Sequence, residues 1–253
     1  MTKTSALSEN PEQNREQRLL AKAKEGNLDS IVKLGVAYYH GEGVPQDYDK
    51  AFLWMYGAAV NGHVQAMFNV AMMLYTQTFR GVTGTETLRW FRRAAREGHA
   101  DAQAMMGLFY SEGFLGLNAN DRLAVKWYKK AVEKGHDWAA YSLYERYRKG
   151  RGVRQSVKKA LACLEQAAQA GYCPAELDLG NCYDAGIGVE RDSAKAAYWW
   201  RRAARQDSEE AHTLLSRAYA EGRGVRKNTA LAAKHAAESE RLKTRMDEDQ
   251  CPF

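Results

Sequence analysis

The chain has 253 residues, 45% of them hydrophobic and four of them proline, with Ala, Leu, Lys, Arg and Glu filling the runs between glycines. That composition argues against a sheet protein and for helices. The formal charge of +6 favours acidic partners without choosing among acidic proteins, anionic lipid and nucleic acid.

The first residues, MTKTSALSENPEQNREQ, hold no apolar stretch of the length a signal peptide needs, and no later window approaches a membrane span. A soluble, cytoplasmic protein is expected, with residues 1–16 a disordered tail. Residues 17–28 read as a capping helix, equivalent to the second half of the unit that follows.

From residue 29 the chain repeats itself. Gly26, Gly62, Gly98, Gly135 and Gly171 stand 36, 36, 37 and 36 residues apart, and Asp207 fills the next slot. The units are 29–63, 64–99, 100–136, 137–172, 173–207 and 208–240, followed by a polar tail at 241–253. Tyr38, Tyr110, Tyr147, Tyr183 and Tyr219 form one column, and Trp54, Trp90, Trp127 and Trp199 another, with Cys163 and His235 replacing tryptophan.

Each unit reads as two helices. In the first unit, Ile31, Leu34, Gly35 and Tyr38 fall at helical spacing, with the small Gly35 allowing close approach and Gly41 suited to a left-handed C-cap. Asp47, Thr83, Asn120, Ser156, Asp192 and Asn228, all N-cap types, share one register ahead of the second helices. The glycines of GEGV at 41–44 and its three later copies are turn residues, because a phosphate loop needs a preceding strand and a Lys-Ser/Thr pair.

The combination LGVAYYHGEGVPQDYDKAFLWMYGAAVNGH resembles a Sel1-like repeat, a relative of the tetratricopeptide repeat, and LGNCYDAGIGVERDSAKAAYWWRRAARQ matches it equally well. The resemblance covers about residues 29–240 and implies an all-α, right-handed α/α superhelix (solenoid) of about six helix-turn-helix repeats. Two departures stand out: TQTFRGVTGT in the second repeat, with Gln77 and Phe79 at glycine positions, and one extra residue in GFLGLNAN of the third. Secreted members of the family carry cysteine pairs that staple individual repeats. Cys163, Cys173, Cys182 and Cys251 form no such pairs and no CxxC, so they read as reduced thiols.

The resemblance also implies that first helices line a concave groove. In that register the apolar groove residues are Val32, Val36, Tyr39, Phe68, Met72, Tyr75, Ala104, Leu108, Trp138 and Tyr141, and an exposed apolar row marks a protein-binding surface. Farther along come Glu145, Arg148, Lys149, Asn181, Asp184, Arg217 and Glu221, which would fix a partner's register. Basic residues recur on the second helices at Arg92, Arg93, Lys129, Lys130, Arg201 and Arg202, as on any solvated outer face.

His63, His99 and His136 follow the unit-ending glycines one repeat apart, too far to converge on a metal, so they read as structural. Cys173, Cys182 and His212 lie on neighbouring first helices, where a nucleophile with an orienting carboxylate is conceivable, but buried cysteine in a helical core is ordinary, and no catalysis, cofactor or metal is expected. The expected function is a protein–protein interaction scaffold or adaptor that takes a peptide or partner helix in the groove. Two alternatives are an immunity or chaperone-like protein that neutralises a bacterial toxin or secreted effector, and a basic nucleic-acid or anionic-surface binder. Self-association through an exposed end of the stack of repeats is a further partner reading.

Overall fold

The computed structural model describes residues 11–76 and 84–249, which form thirteen α-helices and one short 3₁₀ turn, with no strand among them. Thr83, Gln77, Phe79 and Cys251 lie outside the described residues. The chain divides into two compact units, residues 1–120 and 121–253, so the boundary falls inside the third repeat.

The first unit holds α1 (Pro11–Lys24), α2 (Leu28–His40), α3 (Tyr48–Val60), α4 (Val64–Tyr75), α5 (Gly84–Arg96) and α6 (Ala100–Glu112), then the 3₁₀ turn Phe114–Gly116. The second holds α7 (Asp121–Glu133), α8 (Asp137–Lys149), α9 (Val157–Gln169), α10 (Cys173–Ala185), α11 (Ser193–Ala204), α12 (Glu209–Glu221) and α13 (Thr229–Asp249). Within each unit every helix packs on the one before and the one after. Helix α1 starts at Pro11, so residues 11–16, assigned by sequence to a tail, are helical.

The repeat columns have distinct physical jobs. The N-cap side chains of Asp47, Ser156, Asp192 and Asn228 accept a hydrogen bond from the first turn of the following helix, at 2.9–3.3 Å. Their own backbone N–H donates to the carbonyl of Tyr38, Tyr147, Tyr183 and Tyr219 in turn, which closes the loop. The lysine ahead of the recurring alanine then lies over that tyrosine ring, Lys50 on Tyr38, Lys159 on Tyr147 and Lys195 on Tyr183, at 5.2–5.7 Å.

Two glycines show why nothing larger fits. A methyl group at Gly35 would lie 2.7 Å from Met55 Cγ, which is the close helix approach its size predicts. One on Gly152 would collide with the Asp121 carbonyl, so the second glycine of GRGV exists to seat the turn on the preceding repeat's second helix. The unit-ending Asp207 adopts φ 58° in place of glycine, a conformation aspartate tolerates better than most residues.

The three unit-following histidines are helix caps. Nδ1 of His63, His99 and His136 accepts from the backbone N–H of Ala66, Ala102 and Ala139. The Nε2–H of His63 donates to Asp29 Oδ1 and that of His99 to Gln65 Oε1, both at 3.0 Å, joining each cap to the preceding repeat's first helix. His136→Ala is expected to cost about 1 kcal/mol, and His136→Asn, which keeps a capping acceptor, much less. Urea denaturation followed by circular dichroism would measure the difference.

The core runs along a column next to the tryptophans. Met55 and Phe91 in the first unit, and Tyr128, Leu164 and Trp200 in the second, are at most 3% exposed. Trp200 packs with the alanine pair Ala203 and Ala204, and the matching pair Ala94 and Ala95 is likewise buried, small residues that let helices approach. The tryptophans themselves carry cations: Lys130 lies 4.6 Å over Trp127 and Arg202 4.9 Å over Trp199. One more step of the period takes this core column to Ala236, its neighbours to Ala233 and Glu240, and all three are exposed on α13. The glycine slot there holds Lys243, and the helix continues past it.

Candidate functional site

In the first unit, Val36 and Tyr39 from α2 and Met72 from α4 come together around a pocket of about 210 Å³. Met55 and Met73 extend its apolar wall, and His40, Asn69 and Thr76 supply polar atoms. Tyr39 is braced by its neighbours, its ring edge-on to Tyr48 at 5.2 Å while Gln46 Nε2 donates to the Tyr39 carbonyl and the Tyr48 hydroxyl. Methionine walls adapt to irregular apolar shapes. Val32 and Ala104 are buried and line no surface. They share a helical position with Phe68 and Tyr141, and only the longer side chains of that column reach partial exposure.

Phe68 is half-buried against neighbouring rings, while Tyr75 packs on two of them and stays exposed. Phe68 stacks on His99 at 4.4 Å and meets Phe91 edge-on, and Tyr75 packs on Phe91 and Phe109. This aromatic cluster fastens α4 to α5 and α6. Leu108 is half-buried on α6.

In the second unit, Trp138 packs edge-on to Tyr128 at 5.9 Å. Of the polar residues expected to orient a partner, Glu145, Arg148 and Lys149 are paired with each other, Asn181 accepts from Trp200, and Asp184 and Glu221 pair with Arg223. Arg148 holds Glu145 through two hydrogen bonds of 2.8 and 3.0 Å, and Lys149 adds a second ion pair. Burial raises the Glu145 carboxyl, but the bonds from Arg148 and Lys149 outweigh it and hold it below its ordinary range. Tyr141 donates to Asp178 Oδ2 at 2.9 Å, a contact across repeats that the sequence reading missed. Burial, with the Asp178 charge, pushes the Tyr141 and Tyr144 hydroxyls well above the usual tyrosine range, and burial raises Asp178 as well.

The thiols and the histidine considered as a nucleophile set are engaged elsewhere. Cys173 Sγ points to the Ala203 carbonyl, and burial pushes both the Cys173 and Cys182 thiols up, away from the reactive thiolate. His212 Nε2 donates to the Ala204 carbonyl at 3.1 Å, so its Nδ1 accepts from His235. Gln103 makes the same contact to Ala95 three repeats earlier in the chain, which marks the position as a tie between repeats. Among the described residues, no group of three or more His, Cys, Asp or Glu is placed to hold a metal, and no helix is long and apolar enough to cross a membrane.

The Sel1 repeat pattern matches six segments, residues 28–63, 64–99, 100–136, 139–172, 173–208 and 209–240. A chitin synthase regulator, SKT5, of Malassezia restricta is 35% identical over 130 residues, which is 49% of this chain and 9% of that protein. The chain thus spans less than a tenth of the fungal regulator's length. The crystal structure of c5321, a protective antigen of uropathogenic Escherichia coli, superposes with a TM-score of 0.81 at 28% identity, covering 89% of this chain and 48% of the other. A Sel1 repeat protein from Oxalobacter formigenes gives a TM-score of 0.81 at 26% identity over 92% and 68% of the two chains. With six matched repeats and an all-α solenoid fold shared with these structures, the chain belongs to the Sel1 repeat family.

Proposed function

We propose that this protein is a non-catalytic interaction scaffold, working in a reducing compartment, whose first unit binds an apolar side chain of a partner protein in the pocket between α2 and α4. The observation that carries this reading is the pocket itself. Five apolar or aromatic residues, Val36, Tyr39, Met55, Met72 and Met73, surround about 210 Å³ of open space, with Asn69, His40 and Thr76 at its polar edge. A pocket of that kind anchors a helix or extended segment through one or two buried side chains, with neighbouring contacts excluding water. That the curated relative is named as a regulator supports a role exerted through another protein.

The test is capture of partners from native cells at moderate salt by wild type and by a Val36→Asp, Met72→Asp variant whose circular dichroism is unchanged. A charge placed in the pocket is expected to weaken binding about 30-fold or more. Proteins retained equally by both would exclude the pocket. A captured toxin or secreted effector would assign the immunity or chaperone-like role to the same site.

A further inference from the structure

One face of α3 breaks the charge pattern of the repeats. Leu53, Tyr56 and Val60 stand where α5 carries Arg89, Arg92 and Arg96, and the later second helices mostly place charged or polar residues there. All three are open to solvent, at 68%, 40% and 46%. They are spaced i, i+3, i+7, so they form one stripe along the helix.

Beside the stripe, between α3 and α5, lies a pocket of about 290 Å³ lined by Tyr56, Val60, Glu86, Arg89, Trp90 and Arg93. Tyr56 meets Trp90 edge-on at 5.5 Å, and the Arg93 guanidinium lies over the same indole at 5.6 Å. Trp90 is 5% exposed, and its indole N–H has no hydrogen-bond acceptor among the described residues. A buried donor left unpaired is costly, so native structures rarely keep one without a reason. The arginines are also under-used: Arg89 reaches Glu86 only at 3.8 Å, and Arg92, Arg93 and Arg96 make no ion pair among the described residues.

We propose that this face is a second docking surface, separate from the α2–α4 pocket, and that its occupant is an acidic amphipathic segment of another protein. The segment's apolar side would cover Leu53, Tyr56 and Val60, and its carboxylates would pair with the arginines of α5. Charge complementarity selects this occupant. A second copy of the chain would bring a formal +6 and the same arginines, so the two faces would repel. Nucleic acid would satisfy the arginines but leave the Leu53 and Val60 side chains without a stacking or apolar partner.

The probe is a synthetic helical peptide of about 14 residues with leucines at i, i+3 and i+7 flanked by glutamates, set against the same peptide with glutamine for glutamate. Titrated into the full chain, the acidic peptide is expected to bind about 10-fold or more tighter than the glutamine peptide and to weaken as salt rises from about 50 to 300 mM. Leu53→Asp with Val60→Asp, both on exposed positions and checked by thermal denaturation, is expected to abolish binding. Arg89→Glu with Arg93→Glu should weaken it, and Met72→Asp should leave it unchanged. Equal binding of both peptides, or retention of binding by the Leu53/Val60 variant, overturns the proposal. So does a dimer of the chain alone that this variant dissolves, or Leu53-dependent binding of phosphatidylserine vesicles or single-stranded DNA without peptide binding.

Discussion

Trp200→Ala is expected to destabilise the second unit by about 3–5 kcal/mol, the range for truncating a large aromatic in a packed core. The ring is 1% exposed and lies against the backbone of Gly180, where even a methyl group would come within 2.5 Å of the indole Cδ1 and Nε1. Around it are the small Ala196, Ala203 and Ala204 together with Leu215, and a core at this packing density refills such a space only in part. The indole N–H also donates to Asn181 Oδ1 at 3.0 Å. Trp200→Phe keeps much of the apolar volume and gives up that bond, so it should lose a clearly smaller share. Urea denaturation of the three proteins, monitored by far-ultraviolet circular dichroism, checks the order.

Removing the partner of a buried carboxylate should come next in size. Glu176 is 1% exposed and is held by Arg202 Nε at 2.8 Å and Gln206 Nε2 at 2.9 Å. Burial raises its carboxyl above the ordinary range, against the opposing pull of Arg202 and Gln206. In Arg202→Ala the charge loses its main counterpart, at a cost on the order of 2–3 kcal/mol near neutral pH. The sign follows from linkage. An acid raised in the folded state binds its proton more tightly there than in the unfolded chain, so it opposes folding as pH rises through the unfolded and then the folded value. The Arg202→Ala deficit should therefore shrink as pH falls toward about 4, where glutamate protonates even in the unfolded chain. Adding Glu176→Gln should restore stability at neutral pH and flatten the pH dependence. A deficit that is the same at pH 4 and pH 7 would show that Arg202 acts through its packing on Trp199 instead.

The fold was legible because the period is written in residues with a single physical job. Glycine at a left-handed turn, an oxygen-bearing side chain at a cap, and alanine where helices touch admit few substitutes, so Gly26 through Gly171 and Asp47 through Asn228 align by identity or type. The core column of Met55, Phe91, Tyr128, Leu164 and Trp200 was hidden by the opposite logic. Burial asks only for apolar volume, and five different side chains supply it. The α2–α4 pocket was partly legible, since Val36, Tyr39 and Met72 follow from helical register. Tyr141 with Asp178 was not, because which polar groups pair across repeats depends on how neighbouring helices are rotated. The stripe on α3 is visible in the alignment of repeats, but its meaning needed the exposures and the unpaired indole.

The face of α13 that carries Ala233, Ala236 and Glu240 bears on how such an array can be lengthened. Stacking needs a bulky side chain from each second helix to fill the hollow of the next repeat, and α13 offers a methyl group and a carboxylate instead. A unit grafted after Leu242 would meet a surface without adhesive contacts. A duplicate of residues 173–208 spliced in ahead of Glu209 would find its mates on both sides, so internal copying is a route by which such an array can grow.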